Sequence, residues 1–231
     1  MPRTAQTGGR AERGGRAERT RAAILEAAEA IFAERGFAAT RLEDVAERVG
    51  IRRASIVYYY RDKRELYDAV LGDVFAGLYE RLAEALGSPV SVEERIERGV
   101  VAWVDAVGAR PTIARLILRE VADARPEHAP GMVVHTRPFF ELIEREILKS
   151  ADFADAKLNA VDPVHIASTI AGATIFFVAA IPSLVPHLDI DPVSEDHLSA
   201  HREEVLRILR RLLGTRGPRA TRPKRSARSA P

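Results

Sequence analysis

The stretch from Leu42 to Tyr59 constrains the fold more than any other part of the chain. In its first half, apolar residues recur with the spacing of one helix face, and a glycine then separates them from a second, shorter apolar set. Two short helices joined by a tight turn satisfy this pattern, with Gly50 at the turn, where a positive φ is expected. The apolar positions are Leu42, Val45, Ala46 and Val49, then Ile51, Ile56 and Tyr59. The sequence therefore predicts a helix-turn-helix.

The outward face of the second of these helices is predicted to carry Arg52, Arg53, Ser55 and Tyr58. Such side chains hydrogen-bond to base edges and phosphates in a DNA major groove. A surface helical hairpin with a basic face is the alternative. DNA binding is favoured because the buried and the exposed positions agree with one another.

Charge is divided unevenly along the 231 residues. Residues 1–66 contain 14 Lys and Arg against 10 Asp and Glu, residues 67–213 contain 15 against 23, and residues 214–231 contain 6 against none. A polyanion is therefore attracted to the two ends of the chain and repelled by its middle. No cysteine is present, which excludes disulfides and thiolate metal sites and fits a reducing cytoplasm.

Helical periodicity runs through most of the chain and predicts an all-α protein of about nine helices. We expect a flexible arginine-bearing arm over residues 1–18, a helix-turn-helix DNA-binding domain over 19–66, a helical regulatory and dimerisation domain over 67–213, and a disordered basic tail over 214–231.

Capping signals set the predicted helix ends. The first helix is expected to begin near Arg19 and end at Gly36, and Thr40 with Glu43 forms a capping-box pattern for the second. Pro138 is expected to kink a helix or to split it at Arg137. The predicted helices are about 41–48, 52–58, 63–86, 92–107, 111–124, a segment ending near 150, one opening at 163, and 194–213.

An uncharged apolar run from Val164 to Val185 is long enough to span a bilayer. A membrane-associated helical protein anchored by residues 164–185 is therefore one alternative. Polar residues within the run and acidic rather than basic flanks argue against it. We favour a homodimer interface built from helices at about 163–185 and 194–213, with no membrane contact.

The region from Arg19 to Leu66 resembles the DNA-binding domain of the tetracycline-repressor (TetR) family. The matching segment is ILEAAEAIFAERGFAATRLEDVAERVGIRRASIVYYYRDKREL. Its specific markers are Ala27, Ala28, Phe32, Gly36-Phe37, Thr40, Asp44-Val45-Ala46, Gly50-Ile51, Tyr59 and Lys63-Arg64-Glu65-Leu66. The remaining helices match the family only in number, length and helical character.

The resemblance implies an all-α homodimer that binds a double-stranded DNA operator, expected to be palindromic, and a small-molecule effector. Effector binding would change the separation of the two DNA-reading helices. Carried onto this chain, Thr40 and Lys63 would hold phosphates at helix N-termini. The full set of expected DNA contacts is Thr40, Arg41, Arg52, Arg53, Ser55, Tyr58, Tyr59 and Lys63.

Two departures from the family pattern fall on the DNA-reading helix. Val57 stands where family members often have a phosphate-contacting tyrosine, so Tyr58 is expected to take over part of that role. Arg52 and Arg53 replace a small or polar pair, which should raise affinity and favour sites that contain guanine.

An apolar effector cavity is expected among the middle helices. Its candidate lining residues, each of which simple core packing would also explain, are Trp103, Leu116, Met132, His135, Phe139, Phe140, Phe176 and Phe177. Asp105 and His165 are candidate polar anchors.

Catalytic motifs are absent from the sequence, which contains no GxSxG, GxGxxG or HExxH and no phosphate-binding GxxxxGKS or GxxxxGKT. His197 and His201 stand four residues apart, but such pairs on an exposed helix face usually bind no metal. We expect no enzyme activity, no metal and no cofactor. The predicted function is a cytoplasmic, ligand-responsive transcriptional regulator, expected to be a repressor. A DNA-architectural protein without a ligand is the alternative.

Overall fold

Helix follows helix through all of the chain that the structure, a computed structural model, describes: residues 8–123, 130–155 and 162–214. No strand occurs within these ranges, and the all-α expectation is confirmed. The helices are α1 (Gly8–Ala39), α2 (Leu42–Val49), α3 (Arg53–Tyr59), α4 (Lys63–Leu86), α5 (Val92–Ala109), α6 (Thr112–Asp123), α7 (Pro130–Ile143), α8 (Ala151–Asp155), α9 (Pro163–Ala179), α10 (Ile181–Leu184) and α11 (Glu195–Leu212). Residues 1–7, 124–129 and 156–161 and nearly all of the predicted tail at 214–231 lie outside the described residues.

The first helix begins earlier than the sequence predicts, at Gly8 rather than near Arg19. The added residues repeat Arg, Ala and Glu, which favour helix strongly enough to offset the paired glycines. The helical direction breaks at Gly36, whose φ of +78° is left-handed. The predicted role of Gly36 as the end of the helix is therefore confirmed. The wider arm predicted for residues 1–18 stays a prediction for residues 1–7, which lie outside the described part.

The helix-turn-helix forms where the sequence predicts it. Gly50 has a φ of +73° and its N–H donates to carbonyls at the end of α2, so the turn has the left-handed conformation that a glycine adopts without strain. Ile56 of α3 is fully buried against the core that α1 and α2 share. The cap of α2 differs from the prediction by one residue, since Asp44 Oδ2 accepts from Arg41 N at 3.0 Å and Thr40 makes no cap.

Helix α4 connects two hydrophobic cores. Its first half, from Leu66 to Leu78, packs into the core formed with α1, α2, α3 and α6. Its last residue, Leu86, belongs to a second core with α5, α7, α9 and α11. Asp62 caps its N-terminus, where Oδ1 accepts from Glu65 N at 2.9 Å. This bond lowers the pKa of the Asp62 carboxyl below its ordinary value.

Helix α7 continues through Pro138, so of the two outcomes predicted there, a kink or a split at Arg137, the split does not occur. The Pro138 ring removes one hydrogen bond of the helix. Pro138 lies on the exposed side, however, where water can satisfy the carbonyl that is left free. The regular helix ends instead at Ile143, and Glu144–Leu148 forms a π-helical turn. The short helix α8 after it was not expected.

The apolar run divides between two helices. Helix α9 ends at Ala179, and Pro182 lies in the short α10 that follows, after which Pro186–Leu188 forms a 3-10 turn. Across the described ranges, no helix is long and apolar enough to cross a membrane. One side of α9, with Thr174, Ile175 and Val178, is buried in the fold. The opposite side is exposed.

Candidate DNA-binding surface and internal cavity

The exposed side of α3 presents the residues that the sequence assigns to DNA. Tyr58 is 83% exposed, Arg52 and Arg53 are exposed, and Ser55 is half-buried at the start of the helix. The Tyr58 ring meets Tyr59 edge-on at 5.2 Å, so Tyr59, itself half-buried, supports Tyr58 from the side. Val57 is 42% exposed next to it. The helix thus offers a hydroxyl, a phenol and two guanidinium groups to one partner surface.

The two arginines of this surface have different surroundings. Arg53 Nε lies 2.8 Å from Glu43 Oε1 on α2, so part of its charge is neutralised within the protein. Arg52, the N-cap residue of α3, has no side-chain hydrogen bond or ion pair among the described residues. Arg41 is also exposed at the start of α2. Arg52 is therefore the arginine of α3 whose charge is wholly available to DNA.

Lys63 and Thr40 are engaged inside the protein rather than facing outward. Lys63 Nζ donates to the carbonyl oxygens of Phe37 at 2.8 Å, Ala38 at 3.2 Å and Thr40 at 3.0 Å, which uses the three protons of an ammonium group. Thr40 is buried, and its hydroxyl donates to Gly36 O at 2.7 Å. Through these hydrogen bonds, both side chains connect the end of α1 to the starts of α2 and α4. The donors that a phosphate would need are already occupied.

A cavity of about 340 Å³ lies where the two cores meet, bounded mainly by α4, α5, α6, α7 and α9. Trp103, Phe139 and Phe140 line it, as predicted. The remaining lining residues are Phe75, Leu78, Leu82, Leu86, Ile96, Gly99, Val100, Ile117, Thr136, Leu142, Ile143, Ile147, Phe153, Ile166, Ala167, Ile170, Ala171, Ile175 and Leu213. The cavity is thus bounded almost entirely by hydrocarbon.

Four predicted lining residues and the candidate anchor His165 lie elsewhere, for reasons of helix phase. Leu116 is buried in the first core, and His165 and Phe176 are on the exposed side of α9. His135 stacks on Phe75 at 5.7 Å, and Phe177 stacks on His201 at 4.2 Å. Burial lowers the pKa of both histidines below the ordinary value. Met132 belongs to a part of α7 whose side chains lie outside the described residues.

The polar candidates that remain are the anchor Asp105 and the histidine pair His197 and His201. Asp105 Oδ1 lies 2.8 Å from an Arg202 guanidinium nitrogen, away from the cavity. His197 is exposed and its Nδ1 contacts Ser194 Oγ at 3.0 Å, whereas His201 is half-buried against Phe177. The two histidines therefore do not converge. Across the described ranges, no group of three possible metal ligands occurs.

Comparison with known proteins supports the N-terminal assignment. The family model described as "Bacterial regulatory proteins, tetR family" matches residues 24–70, which contain the helix-turn-helix and the start of α4. Residues 24–70 are thus similar to the N-terminal part of bacterial regulatory proteins of the tetR family. Among curated proteins, the HTH-type transcriptional regulator TtgR of Pseudomonas putida is 42% identical over 74 residues. That match spans 32% of this chain and only about a third of TtgR, 35% of its length.

Solved structures with the TetR-family fold extend the likeness to nearly the whole chain. A TetR/AcrR regulator from Thermobifida fusca is 26% identical with a TM-score of 0.58, over 85% of this chain and 98% of that one. The regulator FadR from Bacillus subtilis, solved in complex with stearoyl-CoA, has a TM-score of 0.64 at 16% identity, over 81% and 96% of the two chains. The curated relatives are named as transcriptional regulators.

Helices α1 and α4 are joined to the α5–α6 connection by polar residues that the sequence did not single out. Arg110 Nε donates to Glu29 Oε1 at 2.7 Å, and the same guanidinium reaches Asp73 Oδ2 at 2.8 Å. The Thr112 hydroxyl also donates to Glu29, which is 7% exposed. These contacts join α1 and α4 to the α5–α6 connection and raise the pKa of Arg110 above its ordinary value. No local motif marks them, because their partners lie far apart in the chain.

Helix α6 also holds the end of α1. Arg119 Nε donates to Ala33 O at 2.9 Å, and a second nitrogen of the group donates to Glu34 O. At the next position, Glu120 accepts from the Tyr67 hydroxyl of α4. On the same helix, Ile117 lines the cavity. A single helix thus contacts both the cavity and α1, the helix on which α2 packs.

Proposed function

We propose that this chain is a sequence-specific DNA-binding transcriptional regulator, a repressor that a small, largely apolar ligand releases from its operator. The observation that carries this proposal is the shared helix α6, since Ile117 lines the cavity and Arg119 holds the end of α1. The protein would work in the cytoplasm, where its operator is, and would perform no catalysis. The division into an N-terminal DNA-binding domain and a regulatory domain from residue 67 onward is part of the same proposal.

DNA recognition would use α3 in the major groove. Arg52 and Tyr58 are the exposed side chains with donors, and Arg53 and Ser55 are beside them. Arg41 at the start of α2 would contact a phosphate, and Tyr59 would act by supporting Tyr58. Lys63 and Thr40 would act indirectly, by holding the end of α1 in place.

Ligand binding would require α6 to adjust. A ligand that fills the cavity contacts Ile117 and alters the position of α6 against α4 and α5, because packed cores do not deform continuously. Since Arg119 is bonded to the carbonyls of Ala33 and Glu34, any shift of α6 reaches the helix on which α2 and α3 pack. The ligand's apolar character is inferred from the lining residues.

Two-fold DNA recognition requires a dimer, and the exposed side of α9 is suited to form one. Val164, Ser168, Gly172 and Phe176 recur every four residues on that side. Small side chains at its centre permit close helix approach. Ile208 and Leu212 on α11 are exposed as well, whereas the other side of that helix and its C-cap, with Leu198, Val205, Leu209 and Leu213, is buried within the subunit. We propose a homodimer through α9 and α11.

Selection of bound fragments from random or genomic DNA, followed by footprinting, tests this function. We expect one short palindromic footprint, and an affinity that falls steeply with salt because phosphate contacts release counterions. Arg52→Ala should weaken base discrimination, with Arg115→Ala, an exposed arginine on α6, as the control. Uniform coating of DNA without a preferred site would instead favour the architectural alternative.

A further inference from the structure

Helix α1 extends well beyond the part of it that packs in the core. The helix begins at Gly8, but the first buried residue among its described side chains is Ile24. No other part of the described chain comes within 4 Å of the position that a Cβ of Gly15 would occupy. We call residues 8–23 the α1 extension. A helix without tertiary packing is only marginally stable in water, so a partner that binds along it would stabilise it.

The α1 extension is basic. It contains five arginines and two glutamates, and four of the arginines recur every third residue, at positions 10, 13, 16 and 19. Arg16 and Arg19 are exposed and form no ion pair with any residue that the structure describes. The Nε of Arg19 donates to a backbone carbonyl, Gly15 O, at 3.2 Å. Guanidinium groups whose charge is not neutralised are suited to phosphates, to which each can donate two hydrogen bonds.

The two ends of α1 contact different parts of the protein. Near its C-terminal end, Arg119 of α6 donates to Ala33 O at 2.9 Å. Near its N-terminal end, the Nε of Arg21 donates to the hydroxyl of Tyr60, the C-cap residue of α3, at 3.2 Å. At 1.5 Å per residue, the helix from Gly8 to Arg21 spans about 20 Å. The α1 extension therefore begins its course beside α3 and lies at the end of α1 that is opposite to α6.

We propose that the α1 extension is a second DNA-contacting element, in which Arg16 and Arg19 bind backbone phosphates of the duplex beside the groove that α3 occupies. This inference rests on the proposed DNA-binding function and adds a contact outside the helix-turn-helix. Phosphate contacts position a protein on DNA but carry no base preference. The α1 extension would therefore contribute affinity and orientation, while α3 would discriminate between bases.

Contacts to phosphates can be tested on DNA of any sequence. The probe is a mixed-sequence duplex about 40 base pairs long, or four helical turns. The double variant Arg16→Gln with Arg19→Gln removes two charges and keeps side chains that favour helix. The control, Arg115→Gln with Arg137→Gln, removes the same charge from exposed positions on α6 and α7. Binding to the full-length chain is titrated between about 50 and about 200 mM salt.

We expect the Arg16 and Arg19 double variant to bind this duplex about tenfold more weakly at low salt, with the slope of log affinity against log salt reduced by about two for each subunit. The control pair should change the affinity by less than about twofold and leave the slope unchanged. An unchanged slope in the first variant, or the same effect from the control pair, would overturn the inference. A changed base preference in fragment selection would overturn it as well, because phosphate contacts carry none.

A second measurement locates the α1 extension on DNA directly. Since the chain contains no cysteine, Arg16→Cys provides a single attachment point for an iron chelate that cuts nearby DNA strands. On the operator fragment recovered by selection, cuts are expected beside the α3 footprint in each half-site, whereas labelled Arg115→Cys should give none. Uncut DNA in the complex with labelled Arg16→Cys would overturn this inference alone. If the unmodified chain binds no DNA at low salt, the proposed function fails and this inference fails with it.

Discussion

At the scale of single residues, Lys63 has two possible roles: its ammonium group could contact a DNA phosphate, or it could stabilise the fold. Its ammonium group donates to three carbonyls at the end of α1. Lys63→Met leaves those carbonyls without a partner and should lower the free energy of unfolding by about 1–3 kcal/mol. Operator affinity should fall, but the slope of log affinity against log salt should stay unchanged, because no phosphate contact is lost. Thermal unfolding and binding titrations at several salt concentrations check both parts.

Arg41→Met is the matched control for that experiment, because Arg41 is exposed at the start of α2. Loss of one phosphate contact there should reduce the salt slope by about one, with little change in stability. A reduced slope for Lys63→Met would show instead that Lys63 contacts a phosphate in the complex.

The pair formed by Arg53 and Glu43 leads to a second prediction at this scale. The carboxylate holds the guanidinium at 2.8 Å and also places a negative charge at the DNA surface. Glu43→Gln should release Arg53 and raise operator affinity several-fold at low salt, while stability should change by less than about 1 kcal/mol, as for other exposed pairs. The affinity gain should vanish in the double variant with Arg53→Ala. Binding curves for the single and double variants measure these affinities. An unchanged affinity in Glu43→Gln would contradict the prediction.

Local sequence predicts which residues of α3 face outward, because that choice follows from helix periodicity around Ile56. It does not predict what each polar side chain contacts. Lys63 donates to Phe37 O, which lies 26 positions upstream, and the place of that carbonyl depends on where α1 ends. In the same way, Arg53 differs from Arg52 only because Glu43 of the neighbouring helix is within reach.

At the scale of elements, α6 is the helix whose attachment to α1 can be tested directly. Arg119→Met removes the donors to Ala33 O and Glu34 O and should lower the free energy of unfolding by about 1–3 kcal/mol. Arg115→Met, on the exposed side of the same helix, should change it by less than about 0.5 kcal/mol. Chemical denaturation measures both variants. Equal stabilities would mean that the Arg119 contacts contribute nothing to the junction.

The packing of α11 on α9 should make stability depend on pH. Burial against Phe177 lowers the pKa of His201 below 6.5, its ordinary value. The imidazole of the unfolded chain takes up a proton as pH falls through about 6.5, while the folded one stays neutral to lower pH, so the unfolded state binds more protons there. Stability should therefore fall from pH 7.5 to pH 5.5. Melting curves of His201→Phe should show a smaller loss, and the same loss as in the unmodified chain would contradict this.

Helix starts are predicted well for α4 and α5, expected at 63 and 92, where the structure shows Asp62 and Ser91 as N-cap residues whose side chains accept from the first turn. They are predicted poorly where the effect of one strong sequence signal, such as a proline, depends on the structure around it. Pro138 does not split α7, because water can satisfy the carbonyl left free on the exposed side. The cavity lining illustrates the same limit, since Leu116 and Ile117 both pack in the first core but only Ile117 also lines the cavity.

At the scale of the whole molecule, charge and apolar surface lie in different places. The basic N-terminal region presents α3, while the acidic middle of the chain encloses the cavity and presents the exposed side of α9. In the proposed function, DNA would thereby be confined to one end, and the apolar side of α9 would remain available to a second copy of the chain. Two copies joined there would carry two α3 helices, as a palindromic operator requires.

That arrangement predicts that DNA binding depends on an interface remote from DNA. Phe176 is 50% exposed on α9 and Leu212 is 43% exposed on α11. The double variant Phe176→Asp with Leu212→Asp buries charge in any such interface and should produce monomers, which light scattering measures directly. Operator affinity should fall at least a hundredfold, because each monomer binds one half-site. Val134→Asp, at a residue 68% exposed on α7, is the control and should leave both properties unchanged. A double variant that remains dimeric would exclude α9 and α11 as the interface.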